Sequence, residues 1–120
     1  MDTVTVRSSR DNMDDLVRFV RDLSTVAPEQ SKQFIWGAEQ YLLHQSEKTI
    51  PATLLSFNKW LRKHEVYIKN RDDTIFNITV TGTIAMIINQ IGNAWLNLDN
   101  ENKKSIWLWM DHFLVTMPII

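Results

Sequence analysis

The strongest constraint on this chain is an uncharged run that extends from Thr74 to Leu98. Charged side chains are almost never fully buried, so their absence over such a length predicts a segment from which water is excluded. The run is long enough to span a bilayer, but it holds too many amide side chains for membrane hydrocarbon. We therefore expect a buried helix at the centre of the fold and no membrane span. The amides are Asn77, Asn89, Gln90, Asn93 and Asn97.

Composition limits the fold class. A chain of 120 residues has the size of one domain, and 44% apolar residues can fill one core. Only three glycines and three prolines are present, which disfavours a sheet with many tight turns. We expect a flexible N-terminal arm over residues 1–10 and a single helical domain over residues 11–120.

Charge and cysteine content bound the function class. The net charge of −1 gives no general attraction to nucleic acid or to anionic membranes. The absence of cysteine excludes disulfides, thiolate metal sites and cysteine nucleophiles, and it suits a reducing compartment. The N-terminal residues lack the apolar core of a signal peptide. We therefore expect an intracellular protein.

Apolar residues at three- and four-residue spacing predict an all-α bundle of about five main helices around a buried fourth helix. Start and stop signals delimit these helices: Asp11 or Asn12 caps the first, and Asp99 caps the last, which Pro118 ends. Pro28 and Pro51 open the second and third helices. The predicted helices cover residues 12–24, 28–45, 51–70, 84–95 and 99–117.

Residues 75–80 are the one region of uncertain type. They alternate in polarity and are rich in β-branched side chains, which predicts a short extended segment. Because the only partner for a strand would be residues 3–6, an extended loop and an early helical turn remain alternatives to a strand.

No residue pattern predicts catalysis, a metal or a cofactor. His44, His64 and His112 fall on different predicted helices without metal-ligand spacing, and His64 suits a hydrogen-bonded core histidine. Adjacent residues on a helix diverge by about 100°, so Asp111 and His112 do not form a dyad. A lone Gly82 lacks the spacing of a phosphate-binding loop. We expect a protein that is not an enzyme, with no metal and no cofactor.

The third predicted helix carries a basic face. Such a face can track phosphates or anionic head groups, so nucleic-acid or anionic-surface binding is the alternative function. Long basic side chains also cover the edge of an apolar core while their charges stay in water. The candidate phosphate-binding residues are Lys59, Arg62, Lys63 and Lys69.

Two predicted helices carry a second apolar seam nearly half a turn from the main stripe. Trp36 and Leu43 form the seam of the second helix, and Leu108 and Val115 form that of the last. Either these two helices are covered on both sides, or the seams are exposed and bind another chain, and self-pairing would give a symmetric homodimer. We expect these four residues to contact a partner, with Trp36 as the anchor.

The segment from Val80 to Ile87, VTGTIAMI, precedes a tryptophan-rich amphipathic helix. This arrangement resembles the short virus-encoded members of the B-cell lymphoma (Bcl) family of apoptosis regulators. In that family the central helix opens with Asn-Trp-Gly-Arg and an apolar run. This chain keeps the glycine, Gly82, and the apolar run, but Thr83 stands where the family has the arginine that pairs with an aspartate of the ligand. The resemblance covers residues 80–120.

The resemblance implies an all-α bundle with an apolar groove near Gly82 and Thr83 that holds an amphipathic death-motif helix. It also implies a viral apoptosis inhibitor in the host cytoplasm, and some viral members pair as homodimers. The expected function is therefore a non-enzymatic protein-interaction module.

Overall fold

The computed structural model describes residues 7–78, 80 and 82–118. Within these residues it contains helices and no strand, which confirms the predicted all-α bundle. The α-helices are α1 (Ser9–Val26), α2 (Glu29–Leu43), α3 (Ile50–Lys63), α4 (Glu65–Lys69), α5 (Thr83–Ala94) and α6 (Asn100–Thr116). Two 3-10 helices, Asp73–Asn77 and Trp95–Asn97, flank α5.

Helix α1 begins earlier than the apolar pattern predicted. Ser8 accepts a hydrogen bond from the Asp11 N–H at 3.1 Å, and the Asp11 carboxylate accepts one from the Ser8 N–H at 3.4 Å. This reciprocal capping box satisfies amide groups that the helix itself leaves unpaired. Residues 7–10 of the predicted arm therefore belong to the folded domain, whereas residues 1–6 lie outside the described residues.

The third predicted helix is divided at His64 into α3 and α4, so six helices replace the expected five. His64 leaves the helical region, with φ −112° and ψ 19°, and its Nδ1 lies 2.8 Å from the Trp60 carbonyl oxygen. The imidazole is buried. It is thus the hydrogen-bonded core histidine that the sequence indicated.

Residues 75–77 of the segment expected to be extended form a helical turn instead, which is one of the alternatives that the sequence left open. Ile75 and Phe76 are buried within the first 3-10 helix, and Ile78 has an extended backbone conformation. Asp72 starts this helix by accepting from the Thr74 N–H at 3.1 Å. A Cβ at Gly92 of α5 would lie 2.5 Å from the Phe76 carbonyl oxygen, so the glycine permits this close approach.

Helix α5, the predicted fourth helix, contacts α2, α3 and both 3-10 helices. It buries Ile87, Ile88 and Ile91, while Asn89 and Asn93 face solvent. One face of this helix therefore lies in the core, and the opposite face is polar and exposed to solvent. Among the described residues, no helix is long and apolar enough to cross a membrane.

Helix α6 follows the predicted capping pattern and closes the core. The Asp99 carboxylate accepts from the Asn102 N–H at 2.8 Å. Phe113 is fully buried and packs edge-on against Phe19 of α1 and Phe57 of α3, at ring distances of 5.6 and 5.1 Å. These edge-to-face contacts connect three helices at the centre of the bundle.

Candidate partner-binding cleft

A cleft of about 560 Å³ lies between α1 and α6. Its α1 wall has residues spaced three and four apart, which places them on one face of that helix. Residues of α6 at similar spacing form the opposite wall. The lining comprises Asp15, Arg18, Phe19, Asp22, Leu23, Thr25 and Val26 from α1, and Asn102, Ser105, Ile106, Leu108, Trp109 and His112 from α6.

The floor of the cleft is apolar and well ordered by packing. Phe19, Leu23 and Ile106 are at most 5% exposed and lie beneath the cleft. The apolar surface accessible in the cleft belongs mainly to Val26, Leu108 and Trp109. The half-buried Trp109 packs 5.9 Å from Phe19 and stacks 5.6 Å from Phe113, measured between ring centroids. Two aromatic neighbours hold the indole in place, which makes it a fixed wall.

Two aspartates of α1 bond to side chains of α6 along this cleft. The buried Asp15 carboxylate accepts from Arg7, and its Oδ2 lies 2.8 Å from His112 Nε2. Asp22 Oδ2 accepts from the Trp109 Nε1–H at 3.0 Å. These polar contacts set the relative position of the two helices while leaving the apolar floor open between them.

The chemistry of this arrangement favours binding. Asp15 and His112 are within hydrogen-bond distance, but the one hydroxyl of α6 in the lining, Ser105, lies two turns from His112, or about 10 Å along the axis. A nucleophile must lie within hydrogen-bond reach of its base. In the part of the chain that the structure describes, no group of three His, Cys, Asp or Glu residues could hold a metal ion.

The four seam residues are all exposed: Trp36 by 60%, Leu43 by 45%, Leu108 by 53% and Val115 by 85%. Helix α1 packs against both α2 and α6, the helices that carry the two seams. Leu108 also lines the α1–α6 cleft. Helix α2 also exposes Phe34 and Tyr41, so it presents aromatic surface on two sides.

The groove that the resemblance implied near Gly82 and Thr83 stays a prediction, because residues 79 and 81 lie outside the described residues. Gly82 is exposed at the start of α5, with φ 80° and ψ −158°. Apart from its chain neighbours, no described atom lies within 4 Å of the position that a Cβ would occupy there. Gly82 is thus explained by its positive φ, which residues with a Cβ rarely adopt. The Thr83 side chain lies outside the described part of the structure.

Of the four residues of the predicted basic face, Arg62 is not available to a phosphate. Arg62 is largely buried, and its Nη2 donates to the carbonyl oxygens of Leu114 at 2.9 Å and Met117 at 2.8 Å. Arg62 therefore caps the C-terminus of α6 and is not placed to bind phosphate. Lys59 and Lys63 are exposed, and Lys69 Nζ lies 3.4 Å from Glu65 Oε1.

The cleft itself was not predicted from the sequence. Asp15, Asp22 and Trp109 carried no motif, and only the seven-residue separation of the aspartates hinted that they share a face of α1. Comparison with protein-family models, with curated proteins and with solved structures found no match for this chain. The resemblance to viral Bcl proteins therefore stays a prediction.

Proposed function

We propose that this protein is a non-enzymatic protein-interaction module that holds an amphipathic helix in the α1–α6 cleft. The observation that carries the proposal is the open cleft between α1 and α6, whose accessible apolar lining is Val26, Leu108 and Trp109 and whose edges are polar. An apolar centre with a polar rim is the usual anatomy of a protein interface.

The length of the cleft suits a helical ligand. Its α1 wall runs from Asp15 to Val26, which corresponds to about 16 Å at 1.5 Å per residue. Anchors at positions i, i+4 and i+7 of a bound helix span about 10 Å. Three anchors of one amphipathic helix can therefore contact the floor together.

The resemblance supports a more specific role. If the chain is a viral relative of the Bcl family, the ligand is a death-motif helix and the protein is an apoptosis inhibitor of the host cytoplasm. The proposal differs from the family pattern in its location, because the α1–α6 cleft takes the place of a groove at Gly82 and Thr83.

The exposed seam of α2 supports a second, weaker proposal of self-association. Trp36 and Leu43 together offer an apolar surface without a neighbouring helix over it among the described residues. Light scattering of the parent and of Trp36→Glu would show a dimer that the substitution dissociates. A monomeric parent at micromolar concentration would contradict self-association.

Titration of labelled amphipathic peptides tests the main proposal. Ser105 lines the cleft and is exposed, so Ser105→Trp should fill the cleft without disturbing the core. We expect it to weaken peptide binding about tenfold or more, which corresponds to at least 1.4 kcal/mol. The matched control is Ser56→Trp, an equal change at an exposed position of α3 that should leave affinity unchanged.

Three outcomes separate the parts of the proposal. If neither designed amphipathic peptides nor death-motif peptides bind the parent, the proposed function is wrong. If designed peptides bind and death-motif peptides do not, the interaction module stands and the apoptotic role fails. If Ser105→Trp and Ser56→Trp bind equally well, the ligand site lies outside the α1–α6 cleft.

A further inference from the structure

The charges along the α1 edge of the cleft are not equally neutralised. Asp15 has Arg7 and His112 as partners. Asp22 accepts the neutral Trp109 N–H, and in the described part of the chain no Lys, Arg or His forms an ion pair with it. Arg18 lies one helical turn before Asp22 in the same lining. Among the described residues, Asp22 is therefore the carboxylate of this cleft that has no ion-pair partner.

Asp22 is also held in one position beside an aromatic ring. The 3.0 Å bond from Trp109 Nε1 fixes its Oδ2, and Trp109 is itself packed against Phe19 and Phe113. A charged partner that meets such a preorganised carboxylate loses little additional side-chain freedom.

On the basis of the proposed function, we propose that the helix held in this cleft is cationic along one edge and places a Lys or Arg against Asp22 and Trp109. The apolar anchors of the helix contact the floor, and the basic residue lies at the rim. An acidic residue at the same place would face the Asp22 carboxylate, which disfavours it by like-charge repulsion. The cleft thereby selects among amphipathic helices by the charge of their edge.

Three synthetic peptides of about 16 residues, long enough to form a helix, test this selection. They share the same leucine anchors and carry Lys, Gln or Glu at every edge position, so no binding register has to be assumed. Fluorescence anisotropy at about 0.1 M salt limits the contribution of charges beyond about 10 Å. We expect the Lys peptide to bind about three- to tenfold more tightly than the Gln peptide, and the Glu peptide to bind most weakly.

Two matched variants locate the effect. Asp22→Asn keeps an oxygen that can accept the Trp109 N–H, and it should reduce the Lys preference to about twofold or less. Asp14→Asn makes the same change at an exposed position of α1 that is outside the lining, and it should leave the preference intact. A third variant, Arg18→Gln, removes the cation of the lining and should increase the Lys preference. Thermal melting of each variant verifies that it is folded.

The outcomes distinguish the inference from the proposed function. If none of the three peptides binds the parent, the proposed function fails and the inference fails with it. Equal binding of all three would leave the interaction module standing and overturn the cationic edge. If Asp14→Asn abolishes the preference as fully as Asp22→Asn does, the general field of α1 is responsible, and the contact at Asp22 is wrong.

Discussion

The two sides of α6 are closed by different means. On the side of α3 and α4, Arg62 reaches the last carbonyl groups of α6, and Arg71 donates to both carboxylate oxygens of Asp111 at 2.8 and 2.5 Å. On the side of α1, the short Asp15 and Asp22 side chains meet His112 and Trp109 at single points.

The two interfaces of α6 differ in the length of the side chains that cross them. We call the side of α3 and α4 the sealed side and the side of α1 the open side. A guanidinium on a three-carbon stem covers apolar surface and still reaches a distant acceptor. The aspartate side chains on the α1 side are shorter, and an open cleft of about 560 Å³ lies beside them. We expect substitutions on the sealed side to lower the free energy of unfolding. We expect substitutions on the open side to change ligand affinity.

The largest expected effect concerns the aromatic cluster on the sealed side. Trp95 is 6% exposed, its ring lies 4.6 Å from Phe76 and 5.5 Å from Trp107, and its Nε1 donates to Asp73 at 2.9 Å. Trp95→Ala should lower the free energy of unfolding by about 3–5 kcal/mol, the usual loss for a buried large aromatic. Chemical denaturation measures it.

The control for that substitution is the exposed tryptophan of α2. Trp36→Ala should change the free energy of unfolding by no more than about 0.5 kcal/mol. Equal melting of Trp95→Ala and the parent would show that the cluster does not hold the sealed side.

A medium effect is expected for the cap of α6. Arg62→Met keeps the apolar stem but leaves the carbonyl groups of Leu114 and Met117 without their donor. We expect a loss of about 1–3 kcal/mol, the penalty for leaving a buried polar group unsatisfied. The same substitution at the neighbouring exposed Lys63 should change the free energy of unfolding by less than about 0.5 kcal/mol. Indistinguishable unfolding curves for the two variants would contradict the capping role.

The smallest expected effect is a pH dependence. Hydrogen bonds from Arg71 lower the pKa of the Asp111 carboxyl in the folded state. A lowered folded pKa gives stability that is present above the unfolded pKa of about 3.9 and is lost as the pH falls through the folded value. Because both side chains are about 40% exposed, we expect less than about 1 kcal/mol.

Unfolding measured from pH 6 to pH 2 in the parent and in Asp111→Asn tests this dependence. The parent should be the more stable protein near pH 6, and the difference should shrink as the pH falls below about 4. A constant difference over the whole range would mean that the ion pair between Arg71 and Asp111 contributes nothing measurable to the fold.

Local signals predicted the parts of the fold that depend on neighbours in sequence. The cap at Asp99, the stop at Pro118 and the apolar spacing of Ile87, Ile88 and Ile91 act within a turn or two of helix, and the structure has all of them. The spacing of Trp36 and Leu43 left open whether the second seam of α2 is covered or exposed, and the structure exposes both side chains. Trp107 of α6 is buried because Phe76 and Trp95 pack against it, a contact that no local signal predicted.

Other boundaries depended on contacts that a helical period does not contain. The break at His64 follows from its bond to the Trp60 carbonyl oxygen, and the 3-10 helix at Phe76 depends on the space that Gly92 leaves in α5. The β-branched residues of 75–80 favoured extended backbone, but packing overrode that local preference.

By itself, the sequence determined an all-α domain, its main helix boundaries and the apolar faces, because helix caps and helical periodicity are short-range properties of the chain. Only the tertiary structure decided that Arg62 caps α6 and that α1 and α6 enclose a cleft. Asp15 and His112 are 97 residues apart in the chain, and Asp22 and Trp109 are 87 apart. Spacing within one helix carries no information about which face of another helix it will meet, so contacts at such separations arise only when the whole core is packed.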